Sequence, residues 1–320
     1  MEENRPTIGK SRRLWVPASI LVALLGFLSV LAGASWWFTA PLERSPTSLA
    51  NAPYPSGRGG PTLDRPGRTE TTAPNVQWPE ARLEGVPAKQ LLLDELIRAA
   101  RLLDQVDGYT ATLHRQERID DTLNAEQVLT IKVRHHPFAV YLKFQVPDNG
   151  KEALYVEGQH DNKVIANLGG VARRLVPRLP LDPEGPLALS ENRHPITEAG
   201  LANLIHKLIR YRKLDLLDPL AETILDQIED EQGRRWYRSL HTHPRQTDER
   251  PFARVEVLYC PRTKLPLHIR NYDWPESGTY EEGQPVQLAE RYHYEDLNLD
   301  SSLSAQDFDA SNPDYSFRRY

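Results

Sequence analysis

One cysteine, Cys260, stands in 320 residues. No intramolecular disulfide can form even in an oxidising compartment, so stability has to come from a hydrophobic core. Dense Lys/Arg tracts are also missing, and the formal charge is −5. Phosphate binding needs a basic footprint, so nucleic acid is not an expected partner. The motifs that name a chemistry are absent too: there is no Gly-rich phosphate loop, nucleophile elbow, His-Glu-x-x-His zinc helix or paired cysteine. No cofactor, no metal and no catalytic residue is expected on these grounds.

Charge is absent from another place. Leu14 to Ala40 are 27 residues without a charged side chain, and Lys10, Arg12 and Arg13 stand just before them. As a helix this run would be ~40 Å long, enough to cross a ~30 Å hydrocarbon layer with some tilt. Trp15 lies near one end and Trp36-Trp37 near the other, positions suited to the two headgroup layers. The basic flank favours residues 1–13 staying in the cytoplasm and export of the C-terminal mass across the inner (cytoplasmic) membrane, to the periplasm or outside. Two readings fit the segment. An uncleaved single anchor suits its length, which exceeds the ~7–15 apolar residues of a cleaved signal. A signal peptide suits Ala32-Gly33-Ala34, and Ser11-Arg12-Arg13-Leu14-Trp15-Val16 has a loose twin-arginine pattern.

Residues 41–87 hold nine prolines and Gly57-Arg58-Gly59-Gly60, with few apolar side chains. Such a segment cannot offset its ordering entropy and reads as a disordered tether spanning ~40 Å as a coil. Order is expected from residue 88 to 320. Leu91, Leu92, Leu96, Ala99, Ala100, Leu103 and Val106 recur at helical spacing. The period then becomes two in Tyr109–Leu113, Leu129–Val133 and Phe138–Val146, with turns at Asp120-Asp121, His136-Pro137 and Asp148-Asn149-Gly150. Lys151–Glu157 and Lys163–Asn167 continue the meander, and a Pro- and Gly-rich stretch runs from Leu168 to Pro195. Thr197 is placed to cap a second helix with Ile196, Leu201, Leu204, Ile205, Leu208 and Ile209 as its stripe. Further strands are expected over Glu222–Asp230, Arg234–His241, Phe252–Tyr259, Lys264–Asp273 and Val286–Glu295. About ten strands in consecutive hairpins with two principal helices predict an α+β fold, a curved and largely antiparallel half-barrel sheet covered by the helices. The acidic tail after Asp296 reads as a covering or trailing segment.

Several stretches resemble a bacterial family known only as domain of unknown function 1571. They include Tyr109-Thr110-Ala111-Thr112-Leu113, Arg115-Gln116-Glu117-Arg118, Pro137–Lys143, Leu154–Gly158 and Arg193-His194-Pro195-Ile196-Thr197. Lys264-Leu265-Pro266-Leu267, Tyr272-Asp273-Trp274-Pro275, Tyr292–Leu297 and Asp307-Phe308-Asp309 fit the same pattern, over roughly residues 95–315. That family in turn is similar to LolA/LolB-type lipoprotein-sorting carriers. The likeness implies an unclosed barrel with helices in its mouth and an apolar cavity for acyl chains, and it supplies no catalytic residues.

Individual sites carry less. His241 and His243 point the same way if both lie on a strand, without an evident third ligand. Glu117 and Arg118 read as an ion pair along a strand, and Cys260 as an inert thiol at a hairpin corner. The apolar alternation asks for burial. Leu113, Leu129, Ile131, Val133, Val140, Leu142, Phe144, Val255, Val257, Leu204 and Leu208 line either a packed core or a lipid cavity. The leading expectation is a non-catalytic, membrane-tethered binding module for a lipid, an acyl chain or a lipidated protein. A protein-interaction or sensory domain with a packed core is the alternative, and an envelope hydrolase using Glu117, His241 or His243 comes last. The sequence leaves the oligomeric state open.

Overall fold

The alternation of apolar and polar residues decides the architecture, because each strand must bury one side against something. The computed structural model describes residues 78–170 and 178–317, within the second of two units into which the chain divides, Thr71–Tyr320. The anchor expected at Leu14–Ala40 and residues 41–77 of the tether expected over 41–87 lie outside the described residues; in the remainder of that tether Trp78 is buried, Leu83–Glu84 form a strand and a helix begins at Gly85. Among the described residues no helix is long and apolar enough to cross a membrane.

In chain order the elements are β1 (Leu83–Glu84), α1 (Gly85–Leu103), β2 (Gly108–Ile119), β3 (Thr122–Leu123), β4 (Gln127–Arg134), β5 (Ala139–Val146), β6 (Glu152–Val156), β7 (Val164–Asn167) and β8 (Leu179–Leu181). A single turn at Pro186–Leu189 and a 3₁₀ turn at Ile196–Glu198 lead to α2 (Leu201–Leu217). Then come β9 (Glu222–Glu229), β10 (Arg235–Thr242), β11 (Arg254–Tyr259), β12 (Pro266–Tyr272) and β13 (Leu288–Asn298). They form one open sheet of 13 strands in the order β1-β9-β10-β11-β12-β13-β2-β4-β5-β6-β7-β8, with β3 paired to β2. Adjacent strands pair antiparallel throughout, for example Tyr294 with Leu113, Leu113 with Leu129 and Leu129 with Phe144. This is the α+β class with few helices that the sequence predicts. The strand total exceeds the expected ten because β1, β3 and β8 are two or three residues long.

Both long helices lie on one face of the sheet. α1 buries Leu92, Leu96, Ala99 and Leu103, and α2 buries Leu201, Ile205 and Leu208. These join the inner residues of β2, β4, β5 and β9–β13 in one apolar cluster. The second helix starts later than expected. Thr197 sits in the 3₁₀ turn, and Gly200 occupies the N-cap position with φ +102°. Only glycine fits there, since a Cβ would also lie 3.1 Å from the Tyr109 hydroxyl. That hydroxyl accepts a 2.6 Å hydrogen bond from the Leu201 N–H, in place of a side-chain cap.

The other face is not uniformly wet. Tyr141, Leu154, Val156 and Ile165 of β5–β7 meet Phe308, Ala310, Tyr315 and Phe317 in a second buried cluster. Tyr141 and Tyr315 stack at 3.9 Å with planes 10° apart. Lys132 joins the strap through a 2.7 Å ion pair with Asp307. The acidic tail is therefore a covering segment, and it explains why the strands beneath it bury both faces where one wetter face is expected.

Candidate functional site

Ladder register places unlike residues on common rows of the inner face. One row runs Thr223, His241, Val255, Asn271, Glu290 and Glu117 across six strands. It crosses the face as a polar rim. The Tyr294, Leu113, Leu129 and Phe144 row crosses it lower down and supplies an apolar floor.

At one end of the rim Glu117 and Glu290 stand opposite each other, 5% and 3% exposed. Two buried carboxylates side by side need donors, and the segment before α2 brings them. The Arg193 N–H donates to Glu117 at 3.0 Å, and the Tyr292 hydroxyl donates to the same carboxylate at 2.6 Å. His194 Nε2 lies 2.8 Å from Glu290, Asn271 donates to it at 2.7 Å, and the Arg193 guanidinium pairs with it at 3.4 Å. Burial alone would raise the Glu290 pKa; the His194 and Asn271 hydrogen bonds and the charge of Arg193 outweigh it and hold it below the usual range. Burial, then the two carboxylates, push the Tyr292 phenol well up, so it remains a donor. Glu117 is thus no surface ion pair. Three stretches carrying the family resemblance, around residues 117, 193 and 292, meet here.

At the other end α2 inserts charge where its stripe calls for apolar residues. Arg212 and Asp215 follow Leu201, Ile205 and Leu208 on the buried side and are 1% and 0% exposed. Asp215 pairs with Arg212 at 2.9 Å, with His243 at 3.0 Å and with Arg250, while His241 lies 3.5 Å away. Lys89 of α1 donates to the Asp218 carbonyl at 2.9 Å, and Arg250 reaches the Asp218 carboxylate at 3.3 Å. Burial raises the Asp215 pKa, but Arg212, His243 and His241 together bring it well below the carboxylate range. Burial first, then Arg212, push His241 far below the ordinary imidazole value, so its ring is neutral. It lies within reach of Ser239 at 2.9 Å and Thr223 at 3.1 Å.

His241 and His243 do face one way, as their spacing predicts, and they face Asp215, 28 residues from His243 in sequence. No set of three or more His, Cys, Asp or Glu side chains among the described residues is arranged to hold a metal ion. The apolar residues singled out by sequence come together: Leu113, Leu129, Ile131, Val133, Val140, Leu142, Phe144, Leu208, Val255 and Val257 are all buried in the inner cluster, and Leu204 packs against it half-buried.

Two outer-face features escape a reading by alternation. Register aligns His268, His293 and His114 on three adjacent strands, with ring centres 4.7 and 5.6 Å apart. Burial, then Arg270 and His293, lower the His268 pKa to about 3. Farther along, a groove of about 500 Å³ is lined by Ile224, Leu240, Arg254, Tyr272, Tyr280 and Val286 among others.

The family described as a protein of unknown function, DUF1571, matches residues 106–317. No curated protein matches the chain. Among solved structures it is similar to a DUF1329 family protein from Desulfovibrio piger, at 14% identity over 70% of this chain and 98% of that one, with a TM-score of 0.34. It is similar to the lipoprotein LppX of Mycobacterium tuberculosis at 13% identity, 65% and 96% coverage and a TM-score of 0.36. A LolA superfamily protein from Nitrosomonas europaea matches at 12% identity, 69% and 97% coverage and a TM-score of 0.24. TM-scores this low carry nothing about what the chain binds.

Proposed function

The chain belongs to the DUF1571 family, and from that premise and the geometry of its inner face we propose a non-catalytic binding module for an apolar chain, a lipid or the acyl group of a lipidated protein. The carrying observation is the composition of the roof. α2 meets the floor through Leu201, Ile205 and Leu208, then through the buried charges Arg212 and Asp215. A helix meant only to complete a core would continue its apolar stripe; one clasped by ions can leave and return. The residues that would line the ligand are the apolar floor, Leu113, Leu129, Ile131, Val133, Val140, Leu142, Phe144, Val255 and Val257, with Leu204 and Leu208 of the roof. Sites of this type are concave, apolar and edged by few polar groups, which is the pattern of floor and rim here.

In this reading Glu117 and Glu290 hold the Arg193-His194 segment at the rim, and the sheet curves as a half-barrel around its guest. The charge-free run Leu14–Ala40 would tether the module to the cytoplasmic membrane with residues 88–320 outside. Such a module would hand cargo on locally rather than ferry it. Extraction of the purified full chain and mass spectrometry of the released molecules tests the proposal. An acyl-bearing molecule near one per protein is expected, and repeated preparations without one would refute it.

A further inference from the structure

The clasp around Asp215 contains more positive charge than it neutralises. Lys89, Arg212 and Arg250 are 3%, 1% and 6% exposed, and they face two carboxylates, Asp215 and Asp218, before either histidine is counted. Glu95, also near, is engaged by Arg98 at 2.7 Å. Arg212 is the extreme case. Its guanidinium has the Asp215 ion contact on one side, yet Nε, Nη1 and Nη2 all lack a partner in hydrogen-bonding geometry. The neighbouring Tyr259 hydroxyl on β11, close to Ser239, is buried and also lacks a partner in that geometry. Buried donors without acceptors are costly and rare, and a guanidinium is a fork shaped for two oxygens of one anion.

We propose that Arg212 and Tyr259 form the head-group site for the carboxylate of a fatty acid whose chain lies on the apolar floor. This rests on the binding reading above and gives it a polarity. The carboxylate would supply the missing negative charge and accept from the guanidinium and the phenol. Burial pushes the Tyr259 phenol up to about 12, so its proton is available to donate. From β11 the floor continues across β12 to Tyr294, Leu113, Leu129 and Phe144. Five strand spacings from β11 to β5 amount to about 24 Å, the reach of one long acyl chain. Entry requires α2 to lift, which carries Arg212 away from the floor and back onto the bound carboxylate.

The test uses the full chain in a non-ionic detergent, titrated with palmitate carrying ¹³C at its carboxyl carbon and, separately, with methyl palmitate. Charged hydrogen bonds lost on esterification should make the acid bind at least about tenfold more tightly. The bound carboxyl signal should stay that of a carboxylate at a pH where palmitate free in the micelles protonates. Arg212→Met should erase the preference, so that acid and ester bind the variant equally. Tyr259→Phe, which removes one oxygen without changing the packing, should reduce the preference several-fold and guards against misfolding of the first variant. Equal binding of acid and ester by the natural protein overturns the head-group site while the binding reading stands. Failure of both to bind overturns that reading as well. Displacement of palmitate by millimolar inorganic phosphate, with equal stabilisation by phosphate alone, would assign Arg212 to a free anion and refute the proposal.

Discussion

Asp215→Asn isolates the clasp. Asparagine keeps the volume and removes only the charge, leaving Arg212 at 1% and Arg250 at 6% exposure without their main counter-ion. Arg250 retains Asp218 at 3.3 Å, whereas Arg212 retains no carboxylate among its ion pairs. Breaking a buried pair from one side costs about 3–5 kcal/mol, because the stranded charge cannot reach water. Against a typical total of ~5–15 kcal/mol that is a third or more of the stability. At ~2–4 °C per kcal/mol for a domain of this size, the melting temperature should fall by roughly 10 °C.

The assay is thermal and urea unfolding of the full chain at pH 7, run beside the double variant Arg212→Met/Asp215→Asn. Replacing both members of a buried pair by groups that need no counter-ion is often neutral. The double variant should therefore recover most of the loss, with a coupling of at least ~2 kcal/mol between the sites. A single-variant loss below about 1 kcal/mol, the range of exposed pairs, would refute the account of the clasp as a buried ionic lock.

Other perturbations probe separate parts. Gly200→Ala forces a side chain into φ +102° and against the Tyr109 hydroxyl; urea unfolding should show a loss of at least ~1–2 kcal/mol, and an unchanged midpoint would contradict the need for glycine there. Tyr315→Ala removes the ring stacked on Tyr141 and the 2.7 Å bond from its hydroxyl to the Asp307 carbonyl; ~3 kcal/mol should be lost, and limited proteolysis should now cut within residues 300–317. Acid should destabilise the domain through His268. Burial, then Arg270, His293, Arg291 and Arg234, hold its folded pKa near about 3. The unfolded chain binds the proton near 6.5, so stability present above that value is lost as pH falls toward about 3. Between pH 7 and 4.5 the ring accounts for at most about 2–3 kcal/mol; His268→Gln should flatten that part of the melting-temperature profile, and an unchanged profile would sink the assignment.

Local signals in the sequence located most of the sheet and both helices, because period and turn chemistry act over a few residues. The helical stripe from Leu92 to Leu103 and the alternation in β2, β4 and β5 are of this kind. Two-residue strands such as β1 and β3 have no period to read. Thr197 is a good capping residue displaced by a distant event, the Tyr109 hydroxyl reaching across 92 positions to Leu201. The outward faces of β5–β7 look half-wet until residues some 150 positions later cover them. The rim was the least legible feature. Glu117 and Tyr292 are 175 residues apart, and only the β13–β2 register brings them into contact. His241 and His243 stand out by their spacing, but Asp215 reads as an ordinary polar residue near a helix end until the fold buries it.

The two ends of α2 are held by forces that respond differently to opening. At the first end Leu201, Ile205 and Leu208 are buried at 0%, 0% and 4%, and exposing them would cost about 1.5–3 kcal/mol each with nothing returned. At the second end the charges of Arg212, Asp215 and Arg250 regain their hydration once they separate into water, which offsets much of the attraction they lose. Full opening there costs far less than removing a single partner while the site stays closed. In the proposed binding cycle the ionic end would therefore be the one that releases, with the apolar end beside Gly200 as the pivot. A roof hinged in this way uncovers the β9–β11 side of the floor first, where Tyr259 lies, and keeps the β2–β5 side covered. A chain entering tail first would slide beneath the pivot and leave its head group at the ionic end, where Arg212 returns on closing.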